Sequence, residues 1–197
     1  MSVELVDLAE HDLPVSDGTG SFDHPSVKTL TGIIDAAGAI LVSSPVYNYD
    51  LSAAAKNLME LTGSAWTEKP VGFLCAGGGR ASYMSPIGFA NSLMFDFRCL
   101  IVPRFVYCTK DDFTEADEPG PKIQERVEQL AADADGDEGD KRPDQQAGDR
   151  RGDAASARNA HGGRLLPPGG GTAWQACREV NHGWSGWGFG PEAVSRG

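Results

Sequence analysis

Three short apolar runs, each followed by a stretch with helical spacing, constrain this chain more than any other feature. Ala39–Ser44, Val71–Ala76 and Cys99–Val102 are almost free of polar residues, which is typical of strands buried on both faces of a parallel sheet. The third run continues past Pro103 as Phe105–Tyr107. Alternation of such runs with helices predicts an α/β fold whose parallel strands are joined by right-handed crossovers.

Four helices are predicted from apolar residues at helical spacing. Pro25 begins the first helix, where its missing N–H costs nothing, and Gly38 follows as a stop signal. A further strand is predicted at Val3–Leu8, where apolar and polar residues alternate. The other three predicted helices span about Leu51–Leu61, Ser82–Phe95, and Glu115 or Pro121 to Leu130.

The regular pattern stops near Asp133, and the composition changes there. The segment Asp133–Gly197 holds 14 of the 25 glycines and little that resembles a core element. Low-complexity sequence of this kind does not bury enough apolar surface to fold. The chain is therefore predicted to comprise a folded domain at 1–133 and a disordered low-complexity tail at 134–197.

The charge of the chain excludes some classes of function. Residues 1–133 hold 19 of the 28 acidic residues and only 9 of the 17 basic ones, and such a surface repels nucleic acid. No apolar run approaches the roughly 20 residues of a membrane span, and no secretory leader pattern is present. The four isolated histidines favour no metal site. We expect a cytoplasmic protein with neither a nucleic-acid nor a membrane partner.

The residues that follow the first apolar run carry the strongest functional signal. The stretch Ser44–Asp50, with Lys56 and Asn57 after it, resembles the T-P-E-Y-N-x-S-x-P-x-x-L-K-N signature of the NADPH-dependent FMN reductase family. Gly77–Arg80 is similar to the family's glycine-rich turn, and Arg98–Pro103 to its strand ending in V-V-P. The three motifs occur in the family's order and spacing, and the resemblance covers about residues 3–132.

The resemblance implies a flavodoxin-like fold, a three-layer, doubly wound parallel sheet. It also implies an NAD(P)H-dependent oxidoreductase that reduces FMN, a quinone or a similar small-molecule electron acceptor by hydride transfer through bound FMN. The implied cofactors are FMN and NADPH, and the implied assembly is a homodimer. No catalytic acid or base is expected, because the cofactor itself carries the chemistry.

The family match assigns the flavin ring to two loops at the carboxyl ends of strands. In the first, Pro45, Val46, Tyr47 and Asn48 supply an apolar face and backbone amides for the ring, and the rigid face of Tyr47 suits its rim. The alternative for this loop is a plain strand-to-helix turn with Asn48 or Asp50 as the helix cap.

The second loop contains Gly77, Gly78 and Gly79 beside a predicted helix start. Its unhindered N–H groups suit the pyrimidine edge of the flavin or an anion, and a bare tight turn is the alternative. Arg80 is expected to pair either with the 2′-phosphate of NADPH or with an acidic neighbour.

The N-terminus departs from the family pattern. Family members begin with an apolar strand and a G-S-x-R-x-x-S loop that holds the FMN phosphate, and nothing here matches either element. The sheet is therefore expected to lack its first strand, as in an N-terminally truncated family member. The alternative function is a non-catalytic flavodoxin-like module or an inactive gene fragment.

Overall fold

The structure is a computed structural model that describes residues 3–116 and 118–136. Its helices and strands alternate along the chain as the apolar runs predict. The α-helices are α1 (Pro25–Ala36), α2 (Ala53–Thr62), α3 (Pro86–Phe97) and α4 (Pro121–Asp135). The strands are β1 (Ile40–Tyr47), β2 (Asp50–Leu51), β3 (Pro70–Ala76), β4 (Leu100–Ile101) and β5 (Val106–Cys108).

One mostly parallel sheet organises these elements. β1 pairs with β3 in parallel from Ile40 opposite Val71 to Pro45 opposite Ala76. β4 and β5 pair in parallel with the first and last parts of β3, while the short β2 folds back antiparallel onto β1. The carboxyl ends of β1, β3 and β5 consequently meet at one edge of the sheet.

Helices cover both faces of this sheet, which confirms the predicted three-layer α/β architecture of flavodoxin-like type. Val71, Phe73 and Cys75 of β3 pack into one core with residues of α1, α2 and α3. The intervening Leu74 joins a second core with α4. This alternation follows from the period of two along a strand, and it explains why β3 is buried almost throughout.

The predicted strand at Val3–Leu8 is wrong. Val3 is 55% exposed, no strand is assigned before Ile40 in the described residues, and Leu8–Glu10 forms a short 3-10 turn. Asp7 caps that turn by accepting a hydrogen bond from the N–H of Ala9 at 2.8 Å. The alternating pattern alone does not make a strand, because a strand also needs a neighbour for its backbone groups.

The first apolar run is also less buried than predicted. Residues 40–43 of β1 are only half-buried, whereas the equivalent part of β3 is buried. Among the described residues β3 covers one side of β1, and only β2 pairs at its other side, near Tyr47. The strand also runs to Tyr47, so the loop expected to begin at Pro45 begins three residues later.

The remaining boundaries differ from prediction for local reasons. α3 begins at Pro86 rather than at Ser82, because a 3-10 turn at Arg80–Ser82 precedes it. α4 extends beyond its predicted end at Leu130 to Asp135, where Gly136 ends it with φ +70°. Residues 137–197 of the predicted tail lie outside the described part of the chain. No helix among residues 3–116 and 118–136 is long and apolar enough to cross a membrane.

Two glycine-to-alanine changes test the packing of α4 on the sheet. A methyl group at Gly72 in β3 would lie 2.8 Å from Leu41 Cδ2 and 3.1 Å from Leu130 Cδ1. We expect Gly72→Ala to lower the free energy of unfolding by about 1–3 kcal/mol through overpacking. Gly32 lies inside α1 with open space around it, so Gly32→Ala should raise that free energy by about 0.5–1 kcal/mol. Urea unfolding measures both, and equal effects of one sign would contradict this packing.

Candidate functional site

The parallel register brings the sequence-predicted residues together at the carboxyl edge of the sheet. Pro45 lies opposite Ala76 on β3, and Ala76 in turn lies opposite Cys108 on β5. The residues that follow Pro45 and Ala76 are the two predicted ligand-binding segments, so both segments project from the same edge. We call residues 47–50 the tyrosine hairpin and residues 77–82 the glycine loop.

The tyrosine hairpin is a two-residue turn between β1 and β2. Tyr47 pairs with Asp50, while Asn48 and Tyr49 have φ of +51° and +64°. Two consecutive positive φ values are the hallmark of a type I′ hairpin turn, in which the second position usually carries glycine. Tyr49 therefore occupies a left-handed conformation that a bulky side chain disfavours.

The side chains of this segment divide into buried and exposed ones. Val46 is buried in the main core, so its side chain supports the hairpin from below. Tyr47 is 46% exposed and Tyr49 is 69% exposed. Of the four residues predicted here, Tyr47 and Asn48 are exposed, Pro45 is half-buried and Val46 is buried.

A pair of serines holds the hairpin against the start of α2. The buried hydroxyl of Ser44 accepts a hydrogen bond from the N–H of Ser52 at 3.0 Å and lies 3.2 Å from its hydroxyl. Ser52 caps α2 by accepting from the N–H of Ala55. The cap is therefore Ser52, and the alternative in which Asn48 or Asp50 caps the helix is wrong.

Tyr107 of β5 fixes the glycine loop from beneath. A methyl group at Gly77 would lie 1.8 Å from the Tyr107 hydroxyl, so only glycine fits above this ring. The N–H of Gly77 donates to the carbonyl of Cys108 at 2.9 Å. The N–H of Gly77 is therefore already hydrogen-bonded within the protein. A ligand would be bound by the amides that follow Gly77 in the loop.

The Tyr107 hydroxyl also ties down the far side of the loop. It donates to the carbonyl of Gly79 and lies within hydrogen-bonding distance of the Ser82 hydroxyl, both at 2.7 Å. Open space surrounds Gly79, where an added methyl group would contact nothing within 4 Å. The loop therefore presents a fixed backbone to an open region, and its last three residues form a 3-10 turn rather than the start of α3.

Arg80 pairs with an acidic neighbour, which was one of the two alternatives for it. Its guanidinium donates to both carboxylate oxygens of Asp112, at 2.9 and 3.2 Å. Burial opposes ionisation of Asp112, but the N–H and hydroxyl of Thr109 and the Arg80 guanidinium outweigh it and lower the pKa of the carboxyl group. The ion pair joins the glycine loop to the turn after β5.

Three residues of this scaffold escaped sequence analysis: Tyr107, Asp112 and Ser52. Tyr107 and Asp112 contact residues of the glycine loop, far away along the chain, and Ser52 caps α2 in place of Asn48 or Asp50. No local sequence pattern indicates these roles. Among the described residues, no group of three or more histidine, cysteine, aspartate or glutamate side chains is placed to hold a metal ion.

Comparisons with known proteins agree with these motifs. The family model described as NADPH-dependent FMN reductase matches residues 1–112. An NAD(P)H-dependent FAD/FMN reductase from Geobacillus thermodenitrificans is 27% identical over 135 residues, covering 66% of this chain and 72% of that protein. An NADPH azoreductase from a Bacillus species is 28% identical over 134 residues, covering 66% of this chain and 75% of that protein.

Among solved structures, one similar fold is FerB, a flavoenzyme NAD(P)H:(acceptor) oxidoreductase from Paracoccus denitrificans. It superposes with a TM-score of 0.50 at 18% identity, covering 63% of this chain and 74% of that one. At this level of identity the likeness concerns the fold alone.

Alanine substitutions at Gly77 and Gly79 test whether Tyr107 fills the space at the start of the glycine loop and leaves Gly79 open. Gly77→Ala forces the Tyr107 ring out of place, so we expect it to lower the free energy of unfolding by about 1–3 kcal/mol. Gly79 has extended backbone with φ of −170°, and an added methyl group would contact nothing within 4 Å. Gly79→Ala should therefore change the free energy of unfolding by less than about 0.5 kcal/mol. Chemical unfolding measures both, and equal losses would contradict the role given to Tyr107.

Proposed function

The chain belongs to the NADPH-dependent FMN reductase family, and from that premise we propose that it is an NAD(P)H-dependent oxidoreductase that transfers hydride through FMN held at the carboxyl edge of its sheet. The observation that carries this proposal is the parallel register of β1 and β3. Because Pro45 lies opposite Ala76, the segments that follow them, with the exposed Tyr47 in one and the open backbone of Gly79 in the other, leave the sheet at the same edge. Open α/β sheets bind ligands at this edge.

The described residues fit the ring end of FMN. A flat, partly apolar ring needs one aromatic or aliphatic surface and fixed amides at its polar rim. Tyr47 offers the surface, and the loop offers the amides that follow Gly77, next to the Gly79 carbonyl that Tyr107 holds. No segment of the described residues resembles the family's phosphate loop, so the ring is the part of FMN that these residues suit.

FMN, when bound, supplies the hydride-accepting chemistry. The chain's own residues then have three tasks: to hold the flavin ring, to orient the nicotinamide over it and to exclude water during hydride transfer. The tyrosine hairpin is suited to the third task because two large aromatic side chains project from it beside the ring position. No acid or base is required among them.

The electron acceptor is proposed to be a small aromatic molecule. The relatives named above are reductases of flavins and of azo compounds, both of which are planar conjugated molecules. An exposed tyrosine face suits such acceptors, as it suits a quinone. We place the reaction in the cytoplasm, because the four cysteines show no paired C-x-x-C spacing, as in proteins of a reducing compartment.

We further propose that the protein is a homodimer that uses α3. Ile87, Met94 and Phe95 lie on one face of this helix and are exposed, Phe95 to 79%. Large apolar side chains exposed together on a helix are typical of a protein interface. The helix lies beside the tyrosine hairpin, since an added methyl group at Gly88 would be 3.8 Å from the carboxylate of Asp50. A second copy of the chain bound to this face would shield the proposed flavin site from solvent.

A matched pair of variants tests the flavin site. Tyr47→Ala removes the aromatic surface and should weaken FMN binding about tenfold, measured by quenching of FMN fluorescence. Phe22, in the turn before α1, is similarly exposed at 44%, so Phe22→Ala is the control and should leave binding unchanged. If the unmodified chain binds no FMN at saturation, the chain is instead a non-catalytic module of this fold. Equal binding by both variants would contradict the role of Tyr47.

Sedimentation velocity tests the dimer. We expect the unmodified chain to sediment as a dimer and Phe95→Lys as a monomer, because a buried, unpaired ammonium group is costly. Phe22→Lys, which alters an equally large aromatic residue away from α3, should remain dimeric. A monomer for the unmodified chain at every concentration, or a dimer for Phe95→Lys, would contradict this interface.

A further inference from the structure

Tyr49, at the tip of the tyrosine hairpin, occupies a backbone position that favours glycine. Its φ of +64° lies in the left-handed region, which is unfavourable for a residue with a bulky side chain and not for glycine. Glycine is also the usual residue at the second position of a two-residue hairpin turn of this type. The chain therefore carries a tyrosine where the backbone alone would favour glycine, and the hairpin is strained at this residue.

Contacts below the tip prevent the hairpin from relaxing this strain. Val46 and Leu51 pair at the base of the hairpin, and both are buried in the main core. The hydroxyl of Ser44 accepts a hydrogen bond from the N–H of Ser52, and the carboxylate of Asp50 accepts one from the N–H of Leu51 at 2.8 Å. A strained residue persists where the surrounding structure fixes it in this way.

The fold gains no polar or aromatic contact from the Tyr49 side chain. This side chain is 69% exposed, and it takes part in no hydrogen bond or ring contact with the residues that the structure describes. Strained residues of this kind concentrate at active sites and ligand-binding segments. The side chain of Tyr49 is therefore better explained by a ligand than by the stability of the hairpin.

Tyr49 directly follows the residues that are proposed to contact the flavin ring. Neighbouring Cα atoms in a chain are about 3.8 Å apart, so the Tyr49 ring extends from a point next to Asn48 and two residues after Tyr47. Hydride transfer requires the reacting atoms of flavin and acceptor to be about 3–3.5 Å apart. An acceptor that lies against the flavin at this rim therefore comes within reach of the Tyr49 side chain.

We propose that Tyr49 is a specificity-determining residue, which contacts the electron acceptor and favours planar conjugated molecules. The inference rests on the proposed function, which places the flavin ring beside this hairpin. Aromatic rings that stack or meet edge to face gain affinity beyond that of the area they bury. Because the backbone of the hairpin is already held in one conformation, little further ordering of the chain opposes this contact.

Titration calorimetry with anthraquinone-2-sulfonate, a soluble planar quinone, tests the inference on the FMN-loaded chain without turnover. We expect Tyr49→Gly to weaken binding of the quinone about three- to tenfold, because one aromatic contact is lost. Tyr49→Phe keeps the ring and should bind the quinone as the unmodified chain does. In urea, Tyr49→Gly should unfold at a higher midpoint than the unmodified chain, because glycine accepts the positive φ. A purely structural role for Tyr49 would not weaken binding and raise stability together.

Arg104→Gly is the matched control. Arg104, in the segment that joins β4 to β5, is also exposed and has φ of +62°. Like Tyr49, its side chain makes no hydrogen bond or ion pair with residues 3–116 and 118–136. Arg104→Gly should therefore raise the urea midpoint in the same way and leave the affinity for the quinone unchanged.

The inference is overturned if Tyr49→Gly binds the quinone as tightly as the unmodified chain, or if it unfolds at a lower urea midpoint. It is also overturned if Tyr49→Gly sediments as a monomer while the unmodified chain is a dimer, since the ring would then serve the contact between copies. Quenching of FMN fluorescence by the unmodified chain reports separately on the proposed function. FMN binding without an effect of Tyr49→Gly on the quinone contradicts this inference alone, whereas absence of FMN binding contradicts both.

Discussion

The parallel pairing of β1 with β3 is the interaction on which the remaining features depend. Six consecutive residue pairs, from Ile40 with Val71 to Pro45 with Ala76, fix the position of one strand along the other. A slip of one residue would turn each buried side chain of β3 toward the opposite core. The register therefore determines which residues enter each of the two cores, and it brings the tyrosine hairpin and the glycine loop to the same edge of the sheet.

Tyr107 converts this arrangement of strands into a rigid site. Its ring occupies the space that a side chain at Gly77 would need, and its hydroxyl binds Gly79 and Ser82. Its ring also contacts the ring of Tyr83, with 5.6 Å between the centroids. One buried side chain thus fixes the loop that is proposed to bind the flavin ring, so the ring meets a preorganised surface.

Sequence patterns predicted the elements that depend on local apolar periodicity. This periodicity predicted the strands at 40–47 and 70–76 and all four helices, although α3 begins later, at Pro86, and α4 ends later, at Asp135. The Val3–Leu8 strand was wrong because pairing depends on a neighbour, which the pattern does not report. The contacts of Tyr107 with Gly77 and of Asp112 with Arg80 join residues about 30 positions apart, and these contacts arise from the fold rather than from any local signal.

The claim that the two loops form one ring-binding edge is tested most directly by amide NMR spectra of the ¹⁵N-labelled chain during addition of FMN. Ring binding at this edge would shift the amide signals of Tyr47, Asn48, Gly78 and Gly79 together, along one saturation curve. Shifts in only one of the two loops, or shifts confined to other parts of the chain, would contradict a shared site.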